Sequence, residues 1–258
     1  MLLHHREMGQ GAPLVILHGL FGTLDNWQTL ARRWADTGHR VISADLRNHG
    51  RSFQTPEHTY ELMSNDVLAL FESLQLGPDT TLMGHSMGGK VAMRFALDHP
   101  DRLARLIVVD IAPRLSDMAH QDNILAGLNA VDLTTLESRQ QADEALAQHI
   151  RQPGVRQFLL KNLYRLDDNS FAWRQNLAAL TQHIAEIGEE ISSPEPFLKP
   201  ALFIRGGQSD YINAEDKLYG IPALFPNSQV ETIVDAGHWV HAEKPDEVFG
   251  LVDAFAKS

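Results

Sequence analysis

The chain has 258 residues, 43% of them hydrophobic, which is enough to bury a complete core as one domain with an insertion. It has 33 acidic and 22 basic residues and a net charge of −11, and no basic stripe, so we expect no nucleic-acid partner. The absence of cysteine excludes disulfides, thiolate metal sites and a cysteine nucleophile.

The N-terminal segment, residues 1–11, is polar. His4, His5, Arg6 and Glu7 occupy the region where a secretory signal would have its apolar stretch. No apolar run along the chain approaches the length of a membrane span. We therefore expect a cytoplasmic protein without a membrane span.

Short apolar runs recur along the chain and are typical of parallel strands that are buried on both faces. They lie at residues 14–17, 40–44, 80–83, 106–109, 201–204 and 230–234. Patterns with helical spacing separate them, for example Trp27, Leu30 and Trp34, and a last helical pattern follows Pro245. The sequence therefore predicts the α/β class, with a mostly parallel central sheet and helices on both faces.

The third apolar run leads into Gly84-His85-Ser86-Met87-Gly88-Gly89, which opens a helical pattern. In a G-x-S-x-G motif between a strand and a helix, the serine occupies a sharp turn that lifts its Oγ above the sheet. The glycines leave room for the strained backbone of that turn. The motif therefore predicts Ser86 as a catalytic nucleophile.

The alternation of strands and helices stops between residues 115 and 199. This interval has no convincing strand pattern and several amphipathic helical patterns, and a Ser-Ser-Pro-Glu-Pro linker at 192–196 leads back. We predict a core of residues 1–114 and 200–258, with a helical cap of residues 115–199 inserted between strands six and seven. The aromatic residues of the cap that we expect in the pocket walls are Phe158, Tyr164, Phe171 and Trp173.

A serine hydroxyl is a poor nucleophile at neutral pH and needs an adjacent base. Among the 13 histidines, His238 follows the last apolar run and precedes the last helix. This late position suits the chain order serine, acid, histidine, and His241 is the only nearby rival. We predict His238 as the general base and expect Trp239 to border the substrate pocket.

Two aspartates compete for the place of the acid that orients the imidazole. Asp110 follows the run at 106–109, and Asp210 lies in the loop after the run at 201–204. Both follow the carboxyl ends of strands, where open α/β sheets place their sites. Either could instead be a solvated loop residue or a helix cap, so both stay candidates.

The oxyanion of an ester intermediate needs two preorganised backbone donors. The amide of Met87, directly after the nucleophile, supplies one donor. The loop at residues 18–22 follows the first strand and supplies the other, from Leu20 in preference to Phe21. We also expect Phe21 to line the substrate pocket.

The other histidines near these motifs point to no metal site. We expect His18 to make structural hydrogen bonds and His49, in the loop at 45–52, to line the pocket mouth. The chain has no H-E-x-x-H motif, no G-x-G-x-x-G after a strand and no Walker lysine. We therefore predict no metal and no cofactor.

Together these motifs resemble the α/β-hydrolase superfamily over residues 14–255. They occur in the expected order: H-G-x-x-G at 18–22, D-x-R-x-x-G-x-S at 45–52, G-H-S-M-G-G at 84–89 and A-G-H at 236–238. Within the superfamily, R-N-H-G-x-S, V-D-I-A-P and G-H-W-V-H-A-E-K-P are similar to the YbfF-like bacterial esterases and their abhydrolase-11-type relatives. The resemblance implies the α/β-hydrolase fold with an inserted cap and a cofactor-free esterase or thioesterase.

The resemblance does not decide between the two acids. In the superfamily at large the acid commonly follows the seventh strand, which matches Asp210. In the YbfF-like group that place need not hold an acid, and some relatives carry theirs at the end of the sixth strand, which matches Asp110. We favour Asp110 and keep Asp210 as the alternative.

These inferences predict a serine esterase that hydrolyses small-molecule carboxylic esters, with acyl thioesters as a further substrate class, through an acyl-enzyme on Ser86. One alternative is a carbon–carbon bond hydrolase of the same fold, which would use the same residues. The other is a non-catalytic small-molecule binding protein, because a fold does not fix a function.

Overall fold

A computed structural model describes residues 1–258, which form nine strands. In chain order these are β1 (His5–Met8), β2 (Ala12–Leu17), β3 (His39–Ala44), β4 (Thr81–His85), β5 (Arg105–Val109), β6 (Leu163–Arg165), β7 (Phe171–Trp173), β8 (Ala201–Gly206) and β9 (Ser228–Ile233). Seven of them form the main sheet, in the order β1-β3-β2-β4-β5-β8-β9. Only the β1–β3 pair is antiparallel, which confirms the predicted α/β class with a mostly parallel sheet.

Eleven α-helices accompany the strands. They are α1 (Gln28–Asp36), α2 (Tyr60–Ser73), α3 (Met87–Asp98), α4 (Ala119–Ala130), α5 (Arg139–Ala147), α6 (Pro153–Leu160), α7 (Leu177–Gln182), α8 (Ile184–Gly188), α9 (Ile221–Leu224), α10 (Val240–Glu243) and α11 (Pro245–Ala256). Short helical segments of other pitch lie at Leu24–Trp27, Pro100–Arg102 and Asp216–Gly220. None of the helices is both long enough and apolar enough to cross a membrane.

The sheet separates two hydrophobic cores. Side chains alternate between the two faces of a strand, so Ile16 packs in the core under α1 and α11, whereas Val15 packs in the core that contains α2 and α3. Both residues are almost completely buried. This two-sided burial explains why the central strands are continuous apolar runs in the sequence.

Helices α4 to α8 and the β6–β7 hairpin occupy the interval between β5 and β8. The end of this interval is tied to the rest of the chain by backbone bonds from Ser116 N–H to the Gly188 carbonyl (2.8 Å) and from Ile191 N–H to the Pro113 carbonyl (2.7 Å). A buried hydroxyl adds to them, because Tyr60 donates to the Ile187 carbonyl at 2.6 Å. These contacts hold the two ends of the interval together.

Three details differ from the predictions. Strand β1 was not predicted, because its polar sequence His5–Met8 lies at a half-exposed sheet edge and has no apolar run. The hairpin of β6 and β7 contradicts the expectation that the interval has no strand, because strands of three residues are too short to show a period. The interval also lies between the fifth and sixth strands of the main sheet, not six and seven, because only β1 precedes β2.

Candidate active site

Ser86 occupies a strained turn between β4 and α3. Its φ and ψ are 52° and −120°, in a region that side chains other than glycine rarely adopt. The turn packs too closely for side chains at its flanks: a Cβ on Gly84 would lie 2.0 Å from the Gly88 carbonyl oxygen, and one on Gly88 would lie 2.4 Å from the His18 carbonyl oxygen. The glycines of the motif therefore permit the tight turn that exposes Ser86 at the end of the sheet.

The structure brings the predicted nucleophile and base together. Ser86 Oγ lies 3.0 Å from His238 Nε2, and His238 Nδ1 lies 2.8 Å from Asp110 Oδ2. A neutral imidazole has one N–H, so donation from Nδ1 to the carboxylate leaves Nε2 to accept the serine proton. The three side chains come from the turn after β4, the end of β5 and the loop after β9, all at one edge of the sheet.

The two candidate acids have different environments. Asp110 is fully buried at 0% exposure, and its Oδ1 accepts a hydrogen bond from Gly206 N–H at 2.8 Å. Its Oδ2 accepts from the Ser209 hydroxyl in addition to His238. Asp210 is exposed, and only its backbone carbonyl is bonded, to Arg114. The geometry therefore brings Asp110, and not Asp210, to the imidazole.

Two backbone amides beside Ser86 are available to an anion. Gly19 packs so closely that a Cβ there would lie 3.2 Å from Ser86 Cβ, which places the loop at 18–22 against the nucleophile. Leu20 N–H makes no hydrogen bond within the chain, and Met87 N–H begins a helix, where amides have no intrahelical acceptor. Phe21 N–H, in contrast, donates to His49 Nε2 at 3.2 Å. Leu20 is therefore better suited than Phe21 to be the second donor.

Two buried histidines support this loop. His18 Nδ1 donates to the Gly19 carbonyl at 2.8 Å, and its Nε2 accepts from Leu46 N–H at 3.0 Å. Burial lowers the pKa of His18 to about 4 and that of His49 to about 3, so both rings are neutral at pH 7. The structural role expected of His18 agrees with these bonds. The expectation that His49 lines the pocket mouth is wrong, because its loop turns the ring inward to 0% exposure.

A cavity of about 160 Å³ lies above Ser86 and His238. Phe21 and Trp239 both line it, as expected, and α4 and α6 supply most of its other apolar walls. These other apolar residues are Leu20, Trp27, Ile124, Val155, Phe158, Leu159 and Tyr211. Of the four cap aromatics expected in the walls, only Phe158 is present. The other three were placed wrongly, because they belong to the β6–β7 hairpin, which does not reach this cavity.

Three aromatic residues lie near His238, and two of them, Tyr211 and His85, were not predicted. Tyr211 stacks on the imidazole with ring centroids 4.0 Å apart, and its hydroxyl accepts a hydrogen bond from Gln121 Nε2 at 2.7 Å. His85 Nε2 donates to the His238 carbonyl at 2.9 Å. His241, the rival base, stacks on Trp27 and makes no hydrogen bond to Ser86. Only Tyr211 could have been suspected, from its place beside Asp210.

Burial keeps the neighbouring histidines uncharged. It lowers the pKa of His241 to about 3, with a further contribution from the positive charge that His238 can carry. Burial and the same neighbour lower the pKa of His85 well below its ordinary value. A proton taken from Ser86 therefore stays on His238, the one ring of the three with a carboxylate partner.

Comparisons with known proteins show which family and fold the chain resembles. A family model described as alpha/beta hydrolase fold matches residues 12–245. The chain is 41% identical over 248 residues to the sn-1-specific diacylglycerol lipase ABHD11 of Mus musculus, covering 94% of this chain and 80% of that protein. It is 40% identical over 243 residues to Esterase YbfF of Escherichia coli (strain K12), covering 93% and 91%. A solved "Marine microorganism esterase" matches with a TM-score of 0.95 at 37% identity, covering 99% of both chains.

Proposed function

The chain belongs to the α/β-hydrolase family, and on this premise we propose that it cleaves its substrates with a catalytic triad of Ser86, His238 and Asp110. The protein is a carboxylic ester hydrolase, as predicted, because the relatives it matches over most of its length are esterases and lipases. The observation that carries the proposed triad is the hydrogen-bonded chain from Ser86 Oγ through His238 to Asp110.

Acylation begins when Ser86 Oγ attacks the carbonyl carbon of the bound ester. His238 Nε2 takes the hydroxyl proton, and the Asp110 carboxylate stabilises the imidazolium that forms. The amides of Leu20 and Met87 donate to the oxyanion of the tetrahedral intermediate, where the negative charge develops. Collapse of this intermediate breaks the bond to the leaving oxygen or sulfur, which takes the proton from His238.

Deacylation uses the same groups with water as the nucleophile. His238 accepts a proton from the water that attacks the acyl carbon. The bond from this carbon to Ser86 Oγ then breaks, His238 returns the proton to Oγ, and the acid is released. Residues 115–199 act as a cap over the site, with Phe158 of α6 facing the substrate from above. The apolar lining favours acyl and alcohol groups without charge next to the reacting bond, and thioesters fit the same mechanism.

A mutation tests the proposed nucleophile. Ser86→Ala removes the attacking oxygen and leaves the turn intact, so we expect turnover of a p-nitrophenyl ester to fall by at least about a thousandfold. The matched measurement is covalent labelling by a fluorophosphonate, located by mass spectrometry. We expect the native protein to be labelled on Ser86 and the variant not to be labelled.

Two controls make the test decisive. A thermal unfolding curve of Ser86→Ala that overlays that of the native protein shows that the loss is chemical. Near-native turnover in a folded Ser86→Ala protein would contradict the proposal, as would labelling at another residue. The absence of a cofactor and a cytoplasmic location remain predictions from the sequence.

A further inference from the structure

A second cavity, of about 300 Å³, lies beside the active site and is polar. We call it the cationic cavity, after the residues that surround it. Its basic residues are Arg6, Arg51, Lys161 and Arg174, with His4 nearby, and its acidic residues are Asp25 and Asp45. The proposed mechanism uses none of them.

The acidic residues of the cationic cavity already have partners. Asp25 forms an ion pair with Arg6 at 2.8 Å. Asp45 is buried, and its carboxylate accepts hydrogen bonds from Leu24 N–H at 2.7 Å and from Arg51 N–H at 2.9 Å. The four basic and two acidic side chains around the cavity therefore leave an excess positive charge of 2, with His4 neutral.

Three cations of the cavity have no carboxylate partner. The side chains of Arg51, Lys161 and Arg174 form no ion pair. The guanidinium of Arg174 lies 4.6 Å from the ring centroid of Tyr164, which holds it in place without neutralising it. In a chain with a net charge of −11, three unpaired cations around one cavity form a local positive field that attracts anions.

The cationic cavity adjoins the active-site cavity. Asn26 lines both of them. Lys161 directly follows α6, whose Phe158 and Leu159 form a wall of the active-site cavity. The charge of Lys161 also contributes to the low pKa of His241, after burial and His238. A substrate bound at Ser86 can therefore place a distant group among these cations.

We propose that the cationic cavity binds a phosphate group on the leaving half of the ester or thioester. Arginine and lysine around one polar cavity match phosphate oxygens, because guanidinium groups donate two parallel hydrogen bonds and an ammonium adds a point charge. The leaving half is assigned because the apolar walls of the active-site cavity suit the acyl chain, which leaves the polar cavity for the other half of the substrate. The inference rests on the proposed function and narrows its substrates.

Two pairs of matched substrates test the inference. Butyryl-coenzyme A and S-butyryl-N-acetylcysteamine share one thioester, and only the first carries phosphate. 1,2-Dibutyrylglycerol 3-phosphate and 1,2-dibutyrylglycerol form the corresponding lipid-like pair. We expect the native protein to prefer the phosphate-bearing member of at least one pair by about tenfold in kcat/KM, and this ratio to fall with added salt. The pair that shows the preference identifies a nucleotide-linked or a glycerol-linked phosphate.

Charge-reversal variants assign the preference to the cavity. In Lys161→Glu and Arg51→Glu we expect the ratio within the preferred pair to fall about fivefold or more toward one. The matched control is Lys217→Glu, which makes the same change in net charge and should keep the native ratio. Lys217 is exposed and lies in the segment Asp216–Gly220, which connects β8 to the edge strand β9. Both substrates of a pair are measured with the same variant, so a general loss of activity cancels in the ratio of their kcat/KM values.

The outcomes separate this inference from the proposed function. A ratio near one for both pairs in the native protein would overturn the inference, and so would a high ratio that survives both cavity variants. In either case the neutral substrates would still be hydrolysed with Ser86 as the nucleophile. Persistent hydrolysis of a neutral ester by folded Ser86→Ala protein would instead contradict the proposed function.

Discussion

The hydrogen bonds to Asp110 give this carboxylate a role that a surface aspartate cannot have. Gly206 N–H and the Ser209 hydroxyl fix the carboxylate, and one oxygen remains bonded to His238. Because the residue is fully buried, its negative charge acts on the imidazolium with little screening by water. Asp210 is exposed and makes no such bond.

This difference predicts unequal effects of two conservative substitutions. Asp110→Asn keeps the size of the side chain but removes its charge and favours the wrong tautomer of His238, so kcat should fall by about a thousandfold or more. Asp210→Asn should change kcat by less than about twofold. Steady-state kinetics with one p-nitrophenyl ester measure both effects. A large loss in Asp210→Asn with near-native activity in Asp110→Asn would reverse the assignment.

The sequence predicted the roles proposed for Ser86 and His238 because both follow strands at positions that the chemistry of a serine hydrolase requires. It could not separate Asp110 from Asp210, because both follow strands of the same sheet. The separation depends on the backbone: Asp110 has a φ of 51°, which turns its side chain toward His238. Tyr211 was missed because stacking on an imidazole requires a contact distance that no local pattern encodes.

At the scale of elements, Lys90 connects α3 to the end of α8. It is 1% exposed, and its Nζ donates to the carbonyls of Arg114 (3.0 Å), Gly188 (2.9 Å) and Glu189. The last carbonyls of a helix have no intrahelical donors, so the ammonium completes their hydrogen bonding. The lysine therefore connects the predicted cap to α3, the helix that directly follows the nucleophile.

This contact predicts a loss of stability in Lys90→Met. Methionine preserves most of the apolar volume but removes the donor from the part-buried carbonyls of Arg114 and Glu189, whereas the Gly188 carbonyl keeps Ser116 N–H. We therefore expect the free energy of unfolding to fall by about 1 kcal/mol. Urea unfolding measures it. Lys257→Met is the control, since Lys257 forms an exposed pair with Asp253 and should contribute less than about 0.5 kcal/mol. Unchanged stability of Lys90→Met would show that the free-energy cost of burying the ammonium equals the gain from its hydrogen bonds.

The elements that the sequence predicted are those with strong local signals. Strands β2 to β5 and β8 are nearly continuous apolar runs because both of their faces are buried. Strand β1 and the β6–β7 hairpin lack this signal, because pairing across a sheet edge or within a short hairpin depends on hydrogen bonds to a partner. The sequence therefore predicts the centre of the sheet and the edge strand β9, but not the edge strand β1 or the short hairpin.

At the scale of the whole molecule, burial of neutral histidines makes the fold sensitive to acid. The pKa values of His18, His49 and His241 are lowered to about 4, 3 and 3 by burial. The pKa values of His58 and His85 are also lowered well below normal. Unfolding exposes these rings to water, where they take up protons near pH 6.5.

The direction of the pH dependence follows from proton binding. Between about pH 4 and pH 6.5 the unfolded chain binds more protons than the folded protein, so stability falls as the pH falls. For His18, His49 and His241 together, we expect a loss of about 5 kcal/mol between pH 7 and pH 5. Burial raises the pKa of Asp45, which offsets part of this loss. Urea unfolding at a series of pH values measures the slope.

A substitution at His241 tests whether the histidines cause this slope. His241→Phe keeps an aromatic ring against Trp27, where the centroids are 4.2 Å apart, and removes one titrating group. His241 Nδ1 has no hydrogen-bond partner, so the exchange breaks no bond at that nitrogen. We expect the number of protons taken up on unfolding near pH 5 to fall by about one, with stability at pH 7 nearly unchanged. An unchanged slope would mean that other groups control acid unfolding.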